Sequence, residues 1–351
     1  MSTPTAATTR SQNILLEPGQ RKPEGREHNL YAGNGQHAVI ESFRVMSVDV
    51  EELREKFDRR PFCFSQNLAN HPLFELPRLI ELAEFLRRDP HNTAYDAGDI
   101  KVEQRWNQRP QNSYTLREAL ERLECAGAWV ILKHSETSPE YRELMEAVLL
   151  DVEEASGYAL RRRIKNPEVQ IMLASPGRIT PYHFDNECNV LMQIRGEKDI
   201  FVFDQTDRQV LTEVELERFW VGDWNAGEYK ERCQDRAYAV RLVPDGGVHI
   251  PVNAPHWVKN HDNVSVSLSI NFEWRDESLY NVYRANYFLR KLGMQPAPPG
   301  TSAWRDGVKH VVMASGFVPA RNGARNAVRF ARRMRHRLQE RRGGRKRESL
   351  E

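Results

Sequence analysis

Between Val264 and Phe272 the chain alternates without a break. Val264, Val266, Leu268, Ile270 and Phe272 take one side of an extended strand, and Ser265, Ser267, Ser269 and Asn271 take the other. Such a strand must bury its aliphatic face, and slipping it by one residue would exchange the two faces. The polar face is expected to line an interior of the kind a small-molecule site requires.

The same change from helical to alternating period begins at Glu168. Strands are predicted over Val169–Ala174, Ile179–Asp185, Asn189–Ile194, Lys198–Phe203, Ala237–Val243 and Gly247–Val252, with Pro244-Asp-Gly-Gly247 as a turn. Many short antiparallel strands imply a double-stranded β-helix, a jelly-roll form. Gly196-Glu197 reads as a two-residue hairpin turn that sets Arg195 opposite Lys198 and Gln193 opposite Ile200. Asn189, Leu191, Gln193 and Lys198 would then share a face.

Upstream the period is helical. A short helix is expected over Glu51–Arg59. Pro77 opens another, with Leu79, Leu82, Ala83 and Leu86 on one face. Thr115-Leu-Arg-Glu118 is a capping box, with Gly127 as the stop, and a strand follows over Ala128–Lys133. Ser138-Pro139 begins an amphipathic helix whose Tyr141, Leu144, Met145, Val148 and Leu149 form a core stripe ending near Gly157. The segment Asp89–Asn112 is polar and reads as a long loop near the mouth of the site. Thr212-Glu-Val-Glu215 caps a short helical insertion, and Phe219–Tyr229 is an aromatic and charged stretch suited to a substrate surface. A helix over Glu277–Leu292 carries enough apolar surface to pack on the barrel or to make a homodimer contact. The fold class is therefore α+β with a mainly β core, braced by N-terminal and C-terminal helices.

His183 and Asp185 lie two apart in a predicted strand, so they point the same way and can hold one metal. A third ligand must come from elsewhere, and His249, His256 and His261 compete for the place. Two imidazoles and one carboxylate on one side of a metal leave the other positions open, as in non-haem Fe(II) oxygenases. His249 reads as pocket wall and His261 as a surface turn. Cys188, on the strand face opposite Asn189, reads as packing.

These spacings resemble the JmjC/cupin-like 2-oxoglutarate oxygenases, in particular bacterial cupin-like members related to the asparaginyl hydroxylase of hypoxia-inducible factor. Thr180 stands three before the first histidine, Asn189 four after the aspartate and Lys198 thirteen after it. The family's second histidine follows the proline of an Ile-Pro pair by five, which picks out His256 after Pro251 and before Val258. Its closing strand carries an Asn-Phe pair, here Asn271-Phe272. The resemblance spans Val169 to Trp274. It departs at Ala254-Pro255, where the family has an aromatic pair, and this bears on the shape of the substrate pocket.

The resemblance implies Fe(II) on His183, Asp185 and His256, with 2-oxoglutarate as co-substrate and O2 as oxidant. Lys198 and Thr180 would hold its far carboxylate, and Asn189 and Asn271 its metal-bound end. The implied activity is hydroxylation of a protein side chain or small molecule with release of succinate; demethylation fits less well because no chromatin-reading module accompanies the barrel. The opposing class is a non-oxidative cupin, a metal-dependent isomerase or a ligand-binding regulator, which has no need of a dicarboxylate clamp.

Composition sets the remaining expectations. The 351 residues contain no run approaching a membrane span and no apolar N-terminal signal core, and the four cysteines stand far apart. A soluble cytoplasmic protein with free thiols is expected. From Arg321 onward twelve Arg or Lys face three Glu, a balance of +9, so the +2 of the whole chain leaves −7 for the rest. Three parts are expected: an arm over 1–36 without stable structure, a domain over 37–292 with its barrel at about 168–274, and a proline-containing linker with a basic helical tail over 293–351. The tail's charge suits an anionic partner, nucleic acid or a membrane surface.

Overall fold

The computed structural model describes residues 45–110 and 114–315. The expected arm and basic tail lie outside them. The described chain groups into two compact units, one of residues 45–212 and 227–275 and one of residues 213–226 and 276–315.

The first unit holds every strand: β1 (Met46–Ser47), β2 (Phe62–Gln66), β3 (Thr93–Ala97), β4 (Ala128–Leu132), β5 (Ile164–Ala174), β6 (Ile179–His183), β7 (Cys188–Arg195), β8 (Lys198–Val202), β9 (Tyr238–Leu242), β10 (Gly246–Ile250), β11 (His256–Asn260) and β12 (Ser265–Trp274). They form an eight-stranded sheet in the order β1-β2-β10-β7-β12-β5-β4-β3 and a four-stranded sheet in the order β6-β11-β8-β9. All pairings are antiparallel. From β5 to β12 the chain passes repeatedly from one sheet to the other, which is the winding of a double-stranded β-helix.

That winding corrects the expected hairpin. β7 pairs with β10 and β12, whereas β8 pairs with β11 and β9, so Arg195 does not face Lys198. Every residue of β7 except Arg195 is buried, and both of its edges are already taken by the large sheet. Gly196-Glu197 instead carries the chain across. Gly196 has φ +73°, and a β-carbon there would collide with the Asn263 amide oxygen and the Val264 carbonyl.

The polar and aliphatic faces of β12 fall as the alternation requires. Ser267 lies opposite Gln193 and Met172, and Asn271 opposite Asn189 and Glu168, all on one face of the large sheet. This inner face is not uniformly polar. Leu191, Val248 and Ile250 from the large sheet pack with Ile200, Val202, Val240, Leu242 and Val258 from the small one. One side of the interior is therefore sealed with aliphatic groups, and the polar side is left for chemistry.

Helices cover the outer face. They are α1 (Val50–Lys56), α2 (Leu76–Leu86), α3 (Leu116–Glu121), α4 (Pro139–Ser156) and α5 (Leu160–Arg163). Asp49 caps α1 by accepting from the Glu52 amide, and the Thr115–Glu118 capping box on α3 is formed in both directions. The stripe of α4 is buried as its period requires, and Gly157 ends the helix in the left-handed conformation at φ +72°. Leu79 of α2 and Leu120 of α3 share a small cavity with Leu173 and Val266 of the sheet. Asp151 of α4 accepts from the amides of Val45 and Met46 at 2.7 and 2.8 Å, which ties down β1.

The polar segment expected as a loop contains an edge strand, β3, paired along its length with β4. Thr93 and Tyr95 suit a strand, and the polar residues around them suit an exposed edge. The buried Arg178 binds Asp96 and the Gly98 carbonyl, fixing the end of that strand.

The second unit contains α6 (Glu213–Phe219), α7 (Ser278–Lys291) and α8 (Ala303–Ala314). Arg290 grips the buried Glu217 with two bonds of 2.7 and 2.9 Å, and Trp220 stacks on Tyr280 with centroids 3.7 Å apart. Among the described residues no helix is long and apolar enough to cross a membrane.

Candidate metal and co-substrate site

β6 and β11 are neighbours in the small sheet, and His256 pairs with His183 in register. Their rings lie 4.2 Å apart. Each ring has its Nδ1 against a backbone carbonyl two residues earlier in the chain, His183 on Pro181 at 2.8 Å and His256 on Ala254 at 3.0 Å. A carbonyl only accepts, so each Nδ1 carries the proton and each Nε2 is left with a free lone pair. Asp185 follows β6, with Oδ1 3.9 Å from the His183 Nε2 and Oδ2 3.7 Å from the His256 Nε2. Two atoms each about 2.1 Å from a metal can be at most about 4.2 Å apart, so both separations suit one shared ion. The three ligand atoms lie within 4.8 Å of one another.

Electrostatics favour the ligand state. Burial, then the neighbouring His183, pushes His256 down to about 4, so it is neutral near pH 7. Burial alone would raise Asp185, but the positive charge that His183 and His256 carry when protonated, with the Asn189 amide, outweighs it and holds the carboxyl below its usual range. Two imidazoles and a carboxylate suit Fe(II), Co(II) or Zn(II).

Lys198 starts β8 and is buried, 4% exposed. Its Nζ donates to Ser267 Oγ at 2.6 Å, across to the other sheet. Ser267 donates in turn to Gln193 Oε1 at 2.7 Å. The Gln193 amide is spent on the Arg195 and Gly196 carbonyls and on Ser265. Among the described residues no carboxylate meets the Lys198 ammonium, and burial lowers it to about 7. Thr180 shares its row of the small sheet with Val258 and Ile200, on the side of Lys198.

Asn189 and Asn271 both reach the interior, and both amides are already engaged. Asn189 donates to Asp185 Oδ2 at 3.1 Å, and its own Oδ1 is buried without a partner among the described residues. Asn271 donates to Glu187 at 3.1 Å. Glu187 is a group the sequence reading passed over, although it stands two after Asp185. Burial, followed by the Asp185 and Glu168 carboxylates, pushes it up to about 8. Trp106 was also missed: it meets His183 edge-on at 5.0 Å and rests beside Trp129. Its segment is held there by the Tyr182 amide, which donates to the Val102 carbonyl at 2.9 Å. Only the polarity of 89–112 hinted at proximity to the site.

The remaining histidines do not compete. His249 is not pocket wall, because it pairs with Val190 and Phe62 on the outer face of the large sheet. There it lies between the rings of Phe57 and Phe62 at 5.0 and 4.9 Å. Burial lowers it to about 3, so it is neutral. His261 pairs with Asp199 at 3.0 Å, away from the triad. Cys188 is fully buried on the outer face, and the cysteines are all free thiols.

A double-stranded β-helix with a His-Asp-His group in its mouth and a buried lysine deeper inside is the class that fold and site define. No protein-family model matches the chain, and no curated protein does. Among solved structures it is similar to YcfD, a ribosomal oxygenase from Escherichia coli, with a TM-score of 0.43 and 13% identity over 82% of this chain and 71% of that one. For YcfD in complex with cobalt and 2-oxoglutarate the values are 0.45 and 14%, over 80% and 69%. Likeness at this level adds no argument, and function rests on the side chains just described.

Proposed function

We propose that this chain is an Fe(II)- and 2-oxoglutarate-dependent oxygenase that hydroxylates a protein side chain or a small molecule. The observation that carries the reading is Lys198. A buried ammonium without a counter-ion is costly, and here it lies in the same interior as three convergent metal ligands. A small dicarboxylate that also binds the metal would satisfy both.

His183, Asp185 and His256 would hold the iron, and the iron with its co-substrate supplies the oxidising power for C–H hydroxylation as 2-oxoglutarate is decarboxylated to succinate. The chain itself contributes binding, orientation and exclusion of water. Lys198 supplies charge for the far carboxylate, and Thr180 a hydroxyl beside it. Asn189 acts at the metal end by fixing the Asp185 carboxylate, and Asn271 by holding Glu187. The aliphatic cluster closes the side of the cup beside Lys198, so the substrate enters past Trp106 and the triad. Free thiols fit a reducing, cytoplasmic setting.

Anaerobic addition of Fe(II) and 2-oxoglutarate should produce the weak visible charge-transfer band of the chelate. With ascorbate and air the protein should form succinate slowly even without substrate. Asp185→Ala and His256→Ala should each lose the metal and stay folded. Full metal occupancy in both, by elemental analysis, would overturn the metal assignment. No succinate above the His183→Ala background would favour the non-oxidative cupin.

A further inference from the structure

Behind the candidate metal site, on the outer face of the large sheet, a second polar cluster touches none of the three ligands yet is bonded to β7 and to the loop before β11, the two segments that hold Asp185. We infer that Asp58 and His249 are positioning residues that set Asp185 against the two histidines. This rests on the metal-site reading above.

The connections run in two directions from Asp58, which follows α1 in the left-handed conformation at φ +56°. Its backbone N–H donates to His249 Nε2 at 2.9 Å. That bond fixes the tautomer: Nδ1 carries the proton and donates to the Asn189 carbonyl at 3.2 Å. Asn189 in turn holds Asp185 Oδ2 through its side-chain amide. The other direction uses the Asp58 carboxylate, which accepts from the Val252 amide at 3.1 Å. Val252 lies in the loop into β11. The next residue, Asn253, at φ +62°, donates its N–H to the Asp185 carbonyl at 2.9 Å, and Ala254 accepts from the His256 ring.

One residue thus reaches Asp185 through β7 and His256 through the loop. Pairing of β6 with β11 sets His183 against His256, and how β7 and the 251–255 loop are held sets Asp185 against both. Neutral buried His249, pinned between two phenylalanine rings, is a rigid spacer for that purpose. Groups bonded directly to metal ligands are worth about 10–100-fold in metal affinity, and a pair acting one bond further out falls at the lower end of that range.

The test uses the full chain and Co(II) alone. His249→Phe keeps the ring between Phe57 and Phe62 and removes its bonds to Asp58 and Asn189, together with the contact of its Nδ1 with the Cys188 thiol. Asp58→Gly removes only the carboxylate, since glycine is at ease at this φ and keeps the amide. Asp58→Asn retains an acceptor and the left-handed backbone, and is the conservative rescue. Co(II) affinity and the visible ligand-field spectrum are measured alongside thermal unfolding. His249→Phe and Asp58→Gly are expected to bind Co(II) about 10-fold more weakly with an altered spectrum, and Asp58→Asn to stay close to the parent.

Parent affinity and an unchanged spectrum in His249→Phe or Asp58→Gly, with only a lower melting temperature, would reduce the pair to a stability element and overturn the inference. If His249→Phe does not fold, Asp58→Gly decides. A parent protein that binds no Co(II) would refute the metal reading instead, so the two failures are distinct.

Discussion

Replacing Lys198 by Met isolates what the chain gives up to keep a cation inside its barrel. Burial moves this lysine from 10.5 to about 7. At about 1.4 kcal/mol per pH unit that is a penalty of roughly 5 kcal/mol on the charged, folded form. Water reaching the group during local opening reduces it, so unliganded Lys198→Met is expected to be about 2–4 kcal/mol more stable near pH 7. The sign with pH follows from proton counting. Below pH 7 lysine is protonated in both folded and unfolded states, and the penalty is constant. Above pH 7 the folded form releases its proton while the unfolded form keeps it up to 10.5, so the unfolded state binds more protons and the wild type gains stability as pH rises. The gap between variant and wild type should therefore be widest at or below pH 7 and fall to about half by pH 9. Urea unfolding of both proteins without ligand, over about pH 6.5 to about pH 9.5, measures it directly, and other titrating groups cancel in the difference. Added 2-oxoglutarate should stabilise the wild type and not the variant. A wild type more stable than Lys198→Met, or a gap that does not change with pH, would refute the account of Lys198 as a charge held without a partner.

Two further outcomes are expected. Thr180→Val, which removes a hydroxyl at nearly constant volume, should weaken 2-oxoglutarate binding about 5–10-fold by calorimetry and leave Co(II) affinity unchanged, matching one hydrogen bond of about 1 kcal/mol. Leu268→Ala, at a fully buried position on the outer face of β12, should cost about 2–5 kcal/mol in denaturant unfolding with the site's Co(II) spectrum preserved.

The barrel was readable because its strands carry a period that only one arrangement satisfies. In β12 the serines and the aliphatic residues cannot trade places, and the structure puts Ser267 under Lys198 and Leu268 in the core. The triad was readable for a related reason: alternation alone aligns His183 with Asp185, and the position of His256 after Pro251 completes the set. Pairing was harder to read. Nothing local distinguishes a Gly-Glu hairpin from a Gly-Glu crossing between sheets, because the choice depends on β10 and β12 already occupying both edges of β7. β11 was missed as a strand because Pro251 and Pro255 precede it and His256, Trp257 and Lys259 break the apolar alternation. His249 was misjudged because β2, which received no assignment, sets its face. His249 was assigned to the pocket from its chain neighbours, whereas its face is set by Phe62, a partner far upstream. Trp106 lay in a polar segment with no period at all, so its place beside His183 is a tertiary fact.

The pairing of β2 with β10 also governs when the protein can be finished. Asp58 and His249 are separated by 191 positions, and a ribosome adding about 5–20 residues per second needs roughly 10–40 s to make the intervening chain. Throughout that interval Phe62 and Phe64, both destined for burial, lack their β10 partner, and toward its end His183 and Asp185 exist without His256. The nascent chain is thus most exposed to misassociation just before its last strands arrive, and a chaperone that shields the region around β2 should raise the yield of metal-competent protein more than one acting at the helices.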